Sequence, residues 1–285
     1  MEEIINTAEY TIIPNSLTSC IQYFNAEIYN LNDLPKSINI STISISGHFN
    51  TIIHLENVSK YINLSPNDII SVKYSKKIRS IENIKYKKPV NLRCFINQLT
   101  LILKIKNNKK INIKLFKNGA FQMTGCKATS DCSEAIYKLI YNISGKILIT
   151  ENNLIIEKYF IENFTESISV IDVNIDMINS NFKLNYKLNR NVFYELLKQE
   201  NINCRYEPCI HASINIKYYI NTKMISIFVF QSGNIIITGA KSKIDIINTY
   251  NYINDLLTRH FNKIIKRNLM TIFTDNDINE MLDEL

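Results

Sequence analysis

The sequence predicts an α+β fold built twice: two similar halves, each a curved antiparallel sheet covered on one face by helices. Three observations carry this. First, Phe116-Lys-Asn-Gly119-Ala-Phe-Gln-Met-Thr124-Gly125-Cys-Lys127 and Phe230-Gln-Ser-Gly233-Asn-Ile-Ile-Ile-Thr238-Gly239-Ala-Lys241 both spell F-x-x-G-x-x-x-x-T-G-x-K. The anchor pairs share one separation (233 − 119, 238 − 124 and 241 − 127 are all 114), so no indel divides them and an internal duplication follows. Second, Phe182, Leu184, Tyr186 and Leu188 alternate with Lys183, Asn185 and Lys187, the period of a half-buried strand. Third, beyond Gly239 the apolar period becomes helical, with Ile247, Tyr250, Ile253, Leu257, Phe261 and Ile264 forming one stripe.

The remaining elements follow in order. Val192–Leu197 is a short helix, and strands are expected around Ile214–Ile216 and Met224–Phe230. Gly233 suits the positive-φ turn of a hairpin leading into a strand from Ile235 to Thr238. Ser242-x-x-Asp245 resembles a capping box at the start of the final helix. The first half repeats the plan, with Ile136, Leu139, Ile140 and Ile143 on its helix. On the signature strands Phe121, Met123, Ile235 and Ile237 point to the helices. Phe116, Asn118, Ala120, Gln122, Thr124, Asn234, Ile236 and Thr238 take the opposite face, too apolar for simple solvation and suited to meeting another surface.

With 285 residues and 46% hydrophobic content, the chain buries one or two ordinary cores. A net charge of +7 favours an acidic partner, although the same charge also serves solubility. The N-terminus has no basic-then-apolar signal pattern, and no apolar run reaches the roughly 18 residues of a membrane span, so a soluble, intracellular protein without a membrane partner is expected. The six cysteines are scattered. Cys204, Cys209 and His211 include no C-x-x-C pair, so reduced thiols are expected in place of a metal site. Without a nucleophile–base pair or a metal-spaced carboxylate cluster, the chain reads as no enzyme, with no cofactor and no small-molecule substrate.

The duplicated signature closely resembles that of the TATA-box-binding protein family, whose repeats read F-x-S-G-x-x-x-x-T-G-A-K; the copy from Phe230 to Ser242 is the better match. Ile40–Ile45 with the apolar stretch through Tyr61 looks like the family's first strand and helix, and Tyr206-Glu207-Pro208 falls where the second repeat carries Y-E-P. The resemblance implies a saddle with helices on its convex face, and an N-terminal extension (1–37), a first repeat (38–145, with an insertion at about 66–94), a second repeat (168–267) and an acidic tail (268–285). The basic insertion reads either as a solvated loop or as a contact to flanking phosphates, and residues 1–37 as a segment able to form a helix on the saddle.

The resemblance also implies a general transcription factor that binds and bends A·T-rich double-stranded DNA through the minor groove, with a factor-IIB-like protein and RNA polymerase as partners. It would act in a nucleus or a cytoplasmic viral factory, and the AT-rich coding bias fits a large DNA virus or a protist. The alternative is a protein-interaction module of the same fold without sequence-specific DNA binding.

By the same resemblance Phe116 and Phe230 are wedge residues, with companions at His211 in the second repeat and at Phe95, or else Leu99, in the first. Thr124 and Thr238 match hydrogen-bonding threonines, and Ile236 an apolar valine. Asn181 matches the asparagine near the dyad, with Asn39 or a neighbour as its first-repeat equivalent. Lys104 and Lys217, with Lys127 and Lys241, supply phosphate contacts, and Asn118, Gln122 and Ser232 complete the surface. Departures bear on strict TATA preference: Gln122 replaces an apolar residue, Ala120 and Asn234 replace lysines, and Lys183 falls near an apolar contact.

Overall fold

Alternating side chains decide which face of each sheet is buried. The computed structural model describes residues 3–5, 30–83, 97–151, 154–162 and 168–266, and these divide into two units. Phe95, most of the 1–37 extension, the insertion beyond residue 83 and the acidic tail lie outside the described residues.

The first unit runs through β1 (Glu3–Ile5), β2 (Asn39–Phe49), α1 (Leu55–Tyr61), β3 (Ile69–Tyr74), β4 (Lys77–Ser80), β5 (Gln98–Lys104), β6 (Lys110–Phe116), β7 (Ala120–Cys126), α2 (Thr129–Ile143), β8 (Lys146–Glu151) and β9 (Leu154–Tyr159). It ends within β10 (Val170–Lys183), whose last residues belong to the second unit. The second unit continues through α3 (Arg190–Gln199), β11 (Cys204–Arg205), β12 (Ser213–Ile220), β13 (Lys223–Phe230), β14 (Asn234–Ala240), α4 (Lys243–Arg259) and α5 (Phe261–Ile264).

In the first unit the strand order is β2-β7-β6-β5-β3-β4, antiparallel throughout. Leu99, Leu101, Leu103, Ile111, Ile113, Leu115, Phe121 and Met123 are all buried on one face. Helix α2 packs on that face and buries Ile136, Leu139, Ile140 and Ile143, as the helical spacing predicts. Each such side chain contributes about 1.5–3 kcal/mol when buried, and a one-residue slip would turn the whole set to solvent, so the register is strongly specified. The second unit repeats this with strand order β11-β12-β13-β14. Ile214, Ile216, Ile225, Ile227, Val229, Ile235 and Ile237 are buried, and Tyr252 of α4 stacks on Tyr218 at 4.1 Å between ring centroids.

The two units share their scaffolding contacts. Gly119 and Gly233 both adopt φ +85°; a Cβ on Gly119 would strike the carbonyl oxygens of Thr51 and Phe49, and one on Gly233 would strike that of Tyr186 and press on that of Leu184. Backbone bonds repeat as well: Phe49 N–H donates to Gly119 O at 3.0 Å and Leu184 N–H to Gly233 O at 2.9 Å. The ion pair Lys109–Asp131 (2.8 Å) has its counterpart in Lys223–Asp245 (3.3 Å). Residues before the insertion therefore correspond at a separation of 135 (184 − 49), those after it at 114 (233 − 119). The first repeat thus carries a net insertion of 21 residues, the difference between the two separations.

Four expectations change. The strand expected at Phe182–Leu188 ends at Lys183, because the N–H groups of Leu184 and Leu188 are drawn to the carbonyls of Gly233 and Gln231 over the turn. The helical stripe holds at Ile253, Leu257 and Ile264 but is shifted at the start of α4, where Ile246 and Thr249 are buried instead of Ile247 and Tyr250, with Leu256 added; Thr249 satisfies its hydroxyl by donating to Asp245 O at 2.7 Å, and Phe261 is exposed. The insertion starts later than expected: β3 pairs with β5 as β11 pairs with β12, so β3 is the counterpart of β11 and β4 is the added edge strand; Ile69, Ile70 and Val72 are buried, and the Arg79 guanidinium donates to the Lys60 and Ile62 carbonyls at the end of α1. Finally, residues 146–159, assigned to neither repeat, include the antiparallel pair β8–β9, with β1 along β8.

Candidate nucleic-acid interface

The face turned away from the helices is built in cross-strand rows. In the first unit one row reads Ser46, Gln122, Lys114, Thr100, Lys73, Ile78, and the adjoining row Ser44, Thr124, Asn112, Ile102, Ser71, Ser80. In the second unit the equivalent rows read Ile236, Phe228, Asn215, Arg205 and Thr238, Ser226, Lys217. The threonine rows agree at Thr124 and Thr238 and then differ, Asn112 and Ile102 standing where the second unit has Ser226 and Lys217. The neighbouring rows differ in kind: amide, hydroxyl and ammonium in the first unit, apolar around Ile236 and Phe228 in the second.

Most expected site residues fall on this face. Gln122, Ile236 and Thr238 are half-buried and Thr124 is exposed, each on a strand whose alternate residues are core. Phe116 and Phe230 are half-buried ends of their strands, opposite Gln98 and Ser213. Phe116 lines a recess with Ile52, Asn97, Lys117 and Asn118. Asn118 and Ser232 occupy the turns; the Asn118 side chain accepts from Ala120 N–H at 3.2 Å, which uses its oxygen to close the turn. His211 is exposed after Tyr206-Glu207-Pro208, its N–H bonded to Glu207 O at 2.8 Å.

Several placements differ from expectation. Leu99, the runner-up companion wedge, is fully buried in the core and faces the helices, so it is no wedge. The repeat equivalent of Asn181 is Ser46 and not Asn39, because the glycine-turn contacts set the separation at 135. Lys104 and Lys217 are not at equivalent registers. Lys217 pairs with Ser226, whose counterpart Asn112 faces Ile102, whereas Lys104 pairs with Lys110 two residues further along β5. Lys104 is also engaged: with Lys110 it clamps Glu82, at 3.2 and 2.6 Å, and these hydrogen bonds, Lys110 first, hold the Glu82 carboxyl below its ordinary pKa. Lys217 donates to Ser226 Oγ at 2.7 Å.

Two features were missed from sequence. Asn179 accepts a hydrogen bond from Thr238 Oγ1 and so holds that hydroxyl in the face; its signal is the alternation of Asn179 and Asn181 with buried Ser180 and Phe182. Asp176 accepts from Ser46 Oγ at 2.7 Å and Asp172 pairs with His48 Nδ1 at 3.0 Å, so carboxylates border the first unit's face along β2. Among the described residues no group of three His, Cys, Asp or Glu is arranged to hold a metal, and no helix is long and apolar enough to cross a membrane.

Comparison with known proteins fits this duplicated scaffold. A protein described as "TATA-box-binding protein-like" from Acanthamoeba polyphaga mimivirus is 38% identical over 254 residues, spanning 82% of this chain and 68% of that protein. The chain belongs to the TATA-box-binding-protein-like family. The family described as "Transcription factor TFIID (or TATA-binding protein, TBP)" matches residues 160–260, which include most of the second repeat. A solved structure titled Methanococcus jannaschii TBP aligns with a TM-score of 0.49 at 18% identity, covering 78% of this chain and 99% of that one.

Proposed function

We propose that this TATA-box-binding-protein-like chain binds and bends A·T-rich promoter DNA through the minor groove and recruits transcription machinery. The observation that carries the reading is the repeated placement of Thr124 and Thr238, with Phe116 and Phe230, on the helix-free face of their units. The minor groove of A·T pairs offers only acceptors, and a G·C pair adds the guanine amino donor. The Thr124 hydroxyl can donate to those acceptors, and the Thr238 hydroxyl does so by turning away from Asn179, while Ile236 and Phe228 leave the guanine amino group without a partner. Minor-groove proteins, TATA-binding proteins among them, insert apolar wedges that unstack base steps and kink the duplex. Phe116 and Phe230 are suited to that role, with His211 and Phe95 as their companions. Lys217, Lys127 and Lys241 are the phosphate contacts, and Lys104 joins them when a phosphate displaces Glu82.

The partners that follow are a factor-IIB-like protein and RNA polymerase, wherever the promoters are transcribed, in a nucleus or a viral factory. The chain acts by binding and not by catalysis. A second reading, a protein-interaction module, is favoured by Asp172 and Asp176, which repel phosphate at the border of the first unit's face. Selection of duplexes from a random pool, followed by bending measurements on the winners, separates the two. Enriched, bent, A·T-rich sites support DNA recognition; no enrichment, or enrichment of sites G·C-rich throughout, rejects it.

A further inference from the structure

Gln122 and Ile236 occupy equivalent positions, 114 residues apart, yet one is an amide and the other a hydrocarbon. Their cross-strand neighbours differ in the same sense, Lys114 beside Gln122 and Phe228 beside Ile236. Gln122 is half-buried and alternates with buried Phe121 and Met123, which places its side chain on the helix-free face. Lys73 and Lys114 in the same row, and Lys217 and Arg205 in the second unit, make both faces complementary to a polyanion.

We infer that the two repeats read opposite halves of the DNA site by different rules, the second admitting only A·T pairs and the first accepting a G·C pair beneath Gln122. The inference rests on the proposed minor-groove binding and goes beyond it by naming the residue that sets the asymmetry. The amino group of guanine is the one donor in the minor groove, and burying it against Ile236 leaves it unpaired. The carbonyl oxygen of Gln122 accepts that hydrogen bond. Such a site has a direction, since a duplex reversed on the protein places guanine under Ile236.

The test is selection from a random duplex pool with the full chain, with Gln122→Ile and with Ile236→Gln, each checked for folding by thermal melting. The wild-type winners should show one A·T-only half and one half with a position tolerant of guanine. Gln122→Ile should restrict that position to A·T, and Ile236→Gln should open its counterpart in the other half. On the best guanine-containing site, inosine in place of guanine removes only the amino group; it should weaken wild-type binding about tenfold and leave Gln122→Ile unweakened. A·T-only preference in both halves, or an unchanged pool with Gln122→Ile, overturns the asymmetry while leaving DNA recognition intact. Failure of the wild type to enrich any duplex overturns both.

Discussion

The two repeats agree in their turns and disagree on their faces. Gly119 and Gly233 share one backbone angle and one set of carbonyl neighbours, and Lys109–Asp131 and Lys223–Asp245 share one ion pair. Yet Gln122 and Lys114 stand where the other repeat has Ile236 and Phe228. Backbone geometry tolerates few residues, so a turn built with glycine stays glycine in both copies. A strand face only has to fit a pleated surface, so its side chains are free to follow a partner. The contrast between unchanged turns and a changed row on the face is the pattern expected when two copies keep one scaffold while their strand faces follow different contacts.

The sharpest way to break this comparison is to attack the shared part. Gly119→Ala and Gly233→Ala should each destabilise their units by about 2–4 kcal/mol, through positive-φ strain and a collision with backbone carbonyls that cannot retreat. Urea denaturation should give losses of similar size; a loss in one repeat alone would show that the scaffolds are not equivalent. A smaller effect separates the faces. Phe230→Ala should weaken DNA binding about tenfold or more and reduce bending, with little change in melting temperature, because Phe230 lies off the core. Phe116→Ala should do the same to a lesser degree beside its polar row. If either substitution lowers stability as a core Phe would, by about 3–5 kcal/mol, the wedge assignment for that residue fails.

How legible this was depended on the physics of each feature. The signature turns and the buried stripes of β7, β14 and α2 were readable because a period of two or of 3.6 is written in consecutive residues. The Asn181 equivalent was misplaced because the separation changes from 114 to 135 across the insertion, and only the carbonyls around Gly119 and Gly233 reveal it. The start of the α4 stripe was misread because Thr249 is buried as if apolar, its hydroxyl satisfied within the helix. The Glu82 clamp on Lys104 and Lys110 was invisible, since it joins residues 22 and 28 positions apart. The β8–β9 pair is only weakly written in the sequence, because the two runs rich in Ile flank Asn152-Asn153, which lacks the glycine of the favoured two-residue hairpin turns.

The smallest expected effect sharpens the comparison in its electrostatics. Each phosphate neutralised contributes roughly 0.9 to the slope of log affinity against log salt concentration. Among the described residues Lys217 is held in the face by the neutral Ser226 hydroxyl and by no carboxylate, so Lys217→Ala should lower that slope by nearly the full amount. Lys104 already faces the Glu82 carboxylate, and a phosphate gains it only by displacing that partner. Lys104→Ala should therefore change the slope little, whereas Glu82→Gln should release Lys104 and Lys110 and steepen it. Titrating binding across salt for the three variants orders them: Glu82→Gln above wild type, Lys104→Ala near it, Lys217→Ala below. Equal losses for the two lysine substitutions would mean that Glu82 does not restrain Lys104, and that the two repeats present their charges to DNA in the same way after all.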